Sequence, residues 1–256
     1  DGTKNGYSYI SERDWNVHYT AADGTKITCR GNYNRGEMPN ALTQDKWESA
    51  VNGAISFSDS LSKVENTNIS LVTFSGSAST ATNFSHTALT ARDFGHPEGN
   101  TNLQAGLSNA IDKLKEITDP NAQKYIVVIG DGQPTSGGSN GKSATDRAMD
   151  RAYEAKNDNK ITVFSIGYGI ENDATAKEVL KKISSDTTMT RVYGYRDYYY
   201  EYNKEEKGFY KEANSTGIAD SFKTIFEDIK TSIAATNGVL TDVIGNNFKY
   251  VEGTKD

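Results

Sequence analysis

Apolar residues along the chain follow two alternating rhythms. Trp47, Ala50, Val51, Ala54, Ile55 and Leu61 recur at close to 3.6-residue spacing, which predicts a helix with Asp45 capping its first turn. Leu103, Leu107, Ile111, Leu114 and Ile117 form a second helical stripe, stopped at Asp119-Pro120. Further helices are predicted from Ser143 to Asn157, near Ala174–Ser184, and along the face made by Ile218, Phe222, Ile225, Phe226, Ile229 and Ile233. Between these helices lie short β-prone runs: Ile69–Phe74, Tyr125–Ile129, Ile161–Ile166 and Arg191–Tyr193. Tyr125–Ile129 is apolar throughout, the pattern of a parallel strand covered by helices on both sides. Repeated strand–helix units predict an α/β fold, doubly wound, with a mostly parallel central sheet and helices on both of its faces.

The two ends break this rhythm. Residues 1–44 are rich in Gly, Asn, Thr and Tyr, and Asp23-Gly24 sits as a hairpin turn between Trp15–Tyr19 and Lys26–Cys29. They read as a β-hairpin insertion ahead of a domain spanning 45–235. Residues 236–256 hold two antiparallel strand candidates, Gly238–Val243 and Phe248–Val251, and read as a linker or the first strands of a following β domain.

A net charge of -6 with no stripe of Lys and Arg excludes a nucleic-acid partner, because phosphate binding needs a positive field. No stretch approaches the length of a membrane span, and residues 1–30 lack the order of a signal peptide, so the chain reads as a mature or excised piece. One cysteine, Cys29, cannot form an internal disulfide. Few cysteines, many Asn, Ser, Thr and Tyr, and an acidic balance suit an extracellular bacterial surface. His18, His86 and His96 are not spaced as metal ligands or as a base beside a nucleophile.

Candidate chemistry lies where ligands sit in such sheets, beyond the carboxyl ends of the strands. Asp131 follows directly on the most apolar strand, in Val128-Ile129-Gly130-Asp131-Gly132-Gln133-Pro134-Thr135. Thr101 opens the long amphipathic helix, in Gly99-Asn100-Thr101-Asn102-Leu103, where its hydroxyl either caps the helix or faces the cleft. Ser136–Ser143 nearly spells a phosphate-binding loop, but Ser136 occupies the first glycine position and the next strand carries no acidic residue for Mg²⁺. A flexible Gly/Ser loop is the better reading. The run Tyr193–Tyr202 either offers Tyr198, Tyr199 and Tyr200 to a partner or is a hairpin packed on its own domain.

These residues carry a resemblance. Gly99-Asn100-Thr101-Asn102 is similar to the Gly-x-Thr loop of the von Willebrand factor A family, and Val127–Gly132 to its strand ending in aspartate. Phe164–Gly169 looks like the family's next strand, and the likeness covers roughly residues 46–235. It implies a Rossmann-like domain of a Gram-positive surface or pilus-tip adhesin, a binding module and not an enzyme. It implies that Thr101 and Asp131 belong to an oxygen shell around Mg²⁺ or Mn²⁺, with Ca²⁺ a third candidate. Asn100, Gly132 and the tyrosines Tyr198, Tyr199 and Tyr200 would then contact a host extracellular protein or matrix ligand. Other domains of the same surface protein or pilus are further implied partners. The family's first metal-binding segment, Asp-x-Ser-x-Ser after a central strand, is absent from this sequence. The strand bearing it is therefore expected upstream of Asp1 or on a separate chain, since residues 1–44 read as an insertion that would follow it, the alternative being that a segment present here fills its place; the site is incomplete in this piece. The alternative reading is a structural spacer without a working metal site.

Overall fold

The computed structural model describes residues 6–9, 14–20, 26–32, 41–94, 100–195, 197–214 and 217–237; for 6–9, 14–20, 26–32, 41–47 and 235–237 it describes the backbone alone. Near the start, strands β1 (Gly6–Tyr9), β2 (Asp14–Thr20) and β3 (Lys26–Asn32) form an antiparallel sheet in that order. The expected hairpin is β2–β3, in register from Asp14 opposite Asn32 to Thr20 opposite Lys26. The strand candidates beyond residue 237 lie outside the described residues.

The main body alternates helices and strands. Helix α1 (Ala41–Leu61) is followed by α2 (Leu103–Lys115), strand β4 (Tyr125–Gly130), helix α3 (Ala144–Tyr153), strand β5 (Thr162–Tyr168) and helix α4 (Ala174–Ile183). Then come β6 (Thr187–Tyr193), β7 (Tyr198–Lys204), β8 (Tyr210–Ala213) and helix α5 (Ile218–Asn237). Helix α3 ends in a π-helical turn, Glu154–Asp158. The central sheet has the order β4-β5-β8, and both pairings are parallel.

Side-chain alternation along β4 and β5 builds a core on each face. On one side Ile126, Val128 and Val163 pack with Leu107, Ile111, Met149, Ala152 and Leu180, so α2, α3 and α4 cover that face. On the other, Phe164, Ile166 and Tyr168 pack with Leu61, Phe222, Ile225 and Ile229, so α1 and α5 cover it. This is the doubly wound arrangement that the alternation predicts. Each fully buried side chain of this size stabilises the fold by roughly 1.5–3 kcal/mol. Two glycines set close approaches: a Cβ on Gly53 of α1 would lie 2.6 Å from Phe222 of α5, and one on Gly106 of α2 would lie 2.9 Å from Phe74.

Four local expectations are corrected. Helix α1 begins at Ala41, so Asp45 lies inside it and does not cap it. Ile69–Phe74 is extended but makes only isolated bridges, Ile69 with Ser85 and Phe74 with Ala78. Its Ser/Thr-rich partner offers hydroxyls in place of carbonyls: Leu71 N donates to Thr82 Oγ1 at 2.8 Å and Thr73 N to Ser79 Oγ at 2.9 Å. Such side-chain bonds compete with a regular ladder. Arg191–Tyr193 is part of β6, which pairs antiparallel with β7 and stands outside the parallel sheet. The parallel edge position goes instead to β8, four residues of mixed polarity that carry little apolar signal.

A half-buried lysine ties the second half together. Lys156 Nζ donates to the carbonyls of Lys182, Ser184 and Thr187 at 2.7, 2.9 and 2.8 Å, joining the π-turn after α3 to the end of α4 and the start of β6. Burial pulls this ammonium down to about 7.

Candidate metal and ligand site

Three connections meet beyond the carboxyl end of β4. The first is the turn Ser75-Gly76-Ser77 after the extended Ile69–Phe74 segment, where Ser75 N donates to Ser77 O at 2.7 Å. The second is Asn100-Thr101-Asn102, leading into α2. The third leaves β4 at Gly130 and runs from Asp131 to Gly137.

Backbone bonds lock them to one another. Thr101 N donates to Thr135 Oγ1 at 2.8 Å, and Thr101 O accepts from Thr135 N at 3.0 Å and Ser136 N at 3.2 Å. Asn102 N donates to Ser75 O at 2.6 Å, and Asn102 Nδ2 to Gly76 O at 3.2 Å. Gly137, at φ +97°, lies so close that a Cβ there would be 2.3 Å from Asn102 Oδ1. Only glycine both adopts this conformation readily and leaves room for the amide.

Asn102 also settles which residue caps α2. Its Oδ1 accepts from Ala105 N at 3.1 Å, so the cap is Asn102 and not Thr101. Thr101 is left half-buried one residue ahead of the cap, its hydroxyl without a hydrogen-bond partner among the described residues. Asp131 is exposed, and its carboxylate pairs with no described cation. Ser136 Oγ is buried and has no hydrogen-bond partner among the described residues. The same loop that carries Asp131 thus returns through Thr135 and Ser136 to grip Thr101, bringing the sequence-predicted pair to one edge of the sheet.

The donors here are oxygens: two hydroxyls and a carboxylate. Such groups suit a hard divalent cation rather than a thiolate- or imidazole-loving one. The unpartnered Ser136 hydroxyl fits that reading, since a buried polar atom without a partner is costly. Among the described residues, however, no group of three His, Cys, Asp or Glu side chains gathers, so water would fill much of any shell. Asn100 is exposed and Gly132 half-buried beside these donors.

The loop from Ser136 to Ser143 is a built turn rather than a phosphate cradle. Ser139 and Lys142 exchange both backbone bonds, at 3.1 and 3.0 Å, and Asn140 and Gly141 between them sit at φ +53° and +77°. Two positive φ values at Asn-Gly are the mark of a type I′ turn. The amides of Ser139 and Lys142 are therefore engaged with each other and not available to a phosphate.

Strand alternation divides the tyrosines. Tyr199 faces outward at 55% exposure, with Tyr193 at 75% on β6 and Tyr195 at 98% in the turn. Tyr198 and Tyr200 turn inward, and both hydroxyls donate to Asp150 Oδ1, at 2.8 and 2.9 Å. Lys142 Nζ lies 3.2 Å from Asp150 Oδ2 and 3.9 Å from the centre of the Tyr198 ring. Burial pushes the Asp150 carboxyl up, but the bonds from Tyr198, Tyr200 and Lys142 outweigh it and hold the group below its ordinary value. Sequence reasoning missed Thr135, Ser136, Lys142 and Asp150. Thr135 was visible in the segment after Asp131, but its partner lies 34 residues away.

Residues 39–204 match the family model for the von Willebrand factor type A domain. The chain is 28% identical over 167 residues to the human inter-alpha-trypsin inhibitor heavy chain H2, covering 62% of this chain and 15% of that protein. It is 31% identical over 108 residues to the same heavy chain from Sus scrofa, covering 40% of this chain and 11% of that protein. The chain thus spans a small part of the curated relatives it matches. Among solved structures it is similar to the vWF domain of the type V pili tip protein Mfa5 from Porphyromonas gingivalis, with a TM-score of 0.57 and 14% identity, over 81% of this chain and 93% of that one.

Proposed function

Because the chain belongs to the von Willebrand factor type A domain family, we propose that it is an extracellular adhesion module, not an enzyme, that binds a partner protein through a divalent cation at the carboxyl edge of its sheet. The observation that carries this reading is the locking of Thr101 against Thr135 and Ser136, which gathers a free hydroxyl and the Asp131 loop at one place. Thr101 Oγ1 would bind Mg²⁺ or Mn²⁺ directly and Asp131 directly or through water, Ca²⁺ being the weaker fit to so few donors. When bound, the cation supplies positive charge and an open coordination position to an acidic group of the partner. Asn100, Gly132 and the exposed Tyr199 would border the contact. The partner class is a host extracellular protein or matrix component, with neighbouring domains of the same surface protein or pilus as structural partners. The setting we infer is the cell wall or pilus of a Gram-positive bacterium, supported by the scarcity of cysteine. No described helix is long and apolar enough to cross a membrane.

Calorimetric titration of Mn²⁺ into the domain joined to its Asp-x-Ser-x-Ser segment tests the site. Heat is expected for the unaltered domain and a loss of affinity of about tenfold or more for Asp131→Ala and Thr101→Ala, since each removes a ligand from a small shell. Identical titrations for all three would sink the metal assignment, and adhesion to host cells undiminished by EDTA would sink the mechanism. The second reading, a spacer in a pilus or surface protein, is favoured by the lack of any gathered group of three acidic, His or Cys side chains among the described residues. Absence of any binding heat for Mg²⁺ and Mn²⁺ would select it.

A further inference from the structure

Along α3 lies a cavity of about 370 Å³ whose wall includes four cations, Lys115, Arg147, Arg151 and Arg191. Three carboxylates share the wall, Asp150, Glu154 and Asp158, so the lining holds one more positive than negative charge on a chain of net charge -6. How those charges are paired matters more than the sum. Glu154 is doubly engaged, its Oε1 2.5 Å from Lys115 Nζ and its Oε2 accepting from Arg151. Asp150 is saturated by Lys142, Tyr198 and Tyr200.

The other two guanidinium groups meet only neutral partners among the described residues. Arg147 donates to Ser139 Oγ from Nε at 3.1 Å and from Nη2 at 2.5 Å. Arg191 donates to Tyr200 Oη at 3.2 Å and lies 4.1, 4.7 and 5.7 Å from the ring centres of Tyr153, Tyr198 and Tyr200. The Nε atoms of Arg151 and Arg191 are closed to solvent and have no hydrogen-bond partner among the described residues, so a ligand would meet the outer nitrogens of these groups. Arg147 and Arg191 thus bring to the wall positive charge that no described carboxylate pairs with, and so a demand for an acceptor that carries negative charge.

We propose that this cavity is a second recognition site, which takes a single carboxylate from an acidic segment of a partner protein. Arg191 and Arg147 are its principal donors. The aromatic faces hold the Arg191 plane in place, so little conformational freedom is lost when a carboxylate docks, and arginine's fork matches that planar group. A polyanion such as a sulfated saccharide is disfavoured, because the three wall carboxylates would repel every charge beyond the first. A protein source is favoured over a free small acid by the rim. Tyr193, 75% exposed, packs edge-on against Tyr198 at 6.2 Å and adds an aromatic contact beside arginine, the pairing that dominates protein interfaces.

The test is an ¹⁵N–¹H titration that follows the arginine Nε–Hε signals of the whole chain in EDTA, so that it does not depend on the metal site. The probe is N-acetylglutamate α-amide, which carries one carboxylate, with N-acetylglutaminamide as its neutral counterpart and inorganic sulfate as the divalent one, at constant ionic strength. Saturable millimolar shifts of the Arg147 and Arg191 signals are expected with the carboxylate alone. Arg191→Lys keeps the charge but removes the fork, and Arg147→Gln, at a half-buried position of α3 outside the apolar core, removes the charge altogether. Each should weaken the carboxylate about tenfold, with unchanged far-ultraviolet circular dichroism. Equal shifts from the neutral amide, no saturation, or tighter binding of sulfate than of the carboxylate would each overturn the proposal.

Discussion

Replacing Lys156 with methionine removes an ammonium that reaches three backbone carbonyls, those of Lys182, Ser184 and Thr187. Two forces act on that group in opposite directions. Burial penalises the charged form, whereas carbonyls at the end of α4 favour it. Burial prevails and brings the group from 10.5 to about 7. A lysine whose folded value is depressed binds fewer protons in the folded chain than in the unfolded one between pH 7 and 10.5, so stability must rise with pH through that window. A full unit inside the window corresponds to about 1.36 kcal/mol. Starting half-protonated at pH 7 and ending at pH 9, the gain comes to roughly 2 kcal/mol. The assay is urea unfolding at the two pH values for the unaltered chain and for Lys156→Met, which keeps most of the side-chain volume. Every other titrating group is common to both, so the stability of the unaltered chain relative to Lys156→Met should rise by about 2 kcal/mol on going to pH 9. A gap that stays constant would show that the three carbonyls cancel the burial penalty, and it would refute the reasoning.

Three further outcomes are expected. Asp150→Asn leaves Lys142 without its counter-charge and weakens the bonds from Tyr198 and Tyr200; it should cost about 2–4 kcal/mol, with hydrogen exchange rising first at the β6–β7 amides. Gly137→Ala forces a Cβ into a position 2.3 Å from Asn102 Oδ1 at φ +97°; a loss of about 1–3 kcal/mol in thermal unfolding and weaker Mn²⁺ binding should appear together. Gly53→Ala places a methyl 2.6 Å from Phe222, which should separate α1 from α5 and cost about 1–3 kcal/mol in urea unfolding without altering Mn²⁺ binding.

The layered core was legible because its signals are local. The Leu103, Leu107, Ile111 stripe and the apolar Tyr125–Ile129 run state their periods within a dozen residues, and both became the elements they predict. The parallel edge strand β8 was not legible, because Tyr210-Lys211-Glu212-Ala213 is short and polar and is defined only by the pairing of Ser165–Tyr168 with it. The run Tyr193–Tyr202 leaves open a contact surface or a hairpin packed on its own domain, and a strand, which sends neighbours to opposite sides, divides Tyr199 from Tyr198 and Tyr200 between the two. Their inward position depends on Asp150, 48 and 50 residues away, and nothing near the tyrosines announces it. The Thr101 site was half legible: its donors stand at predictable element ends, but Asn102's capture of the helix cap, which releases Thr101, is a choice between adjacent residues that only coordinates resolve.

The connection between β4 and α3 shows what the long polar loop accomplishes. It runs from Asp131 to Ser143, well beyond the few residues that commonly join such elements. Its first part presents Asp131 and fastens Thr101 through Thr135 and Ser136. Its second part, a type I′ turn at Asn140-Gly141, sets Lys142 on the Tyr198 ring and beside Asp150. Ser139 in that turn also accepts from Arg147, so a wall of the cationic cavity is anchored to the loop. A flexible tether would serve none of these contacts, because each depends on a fixed backbone conformation at Gly137, Asn140 or Gly141. The glycines and serines that resemble linker or phosphate-loop composition are therefore explained by geometry: positive φ where the chain must reverse, and small hydroxyl side chains where loops must touch.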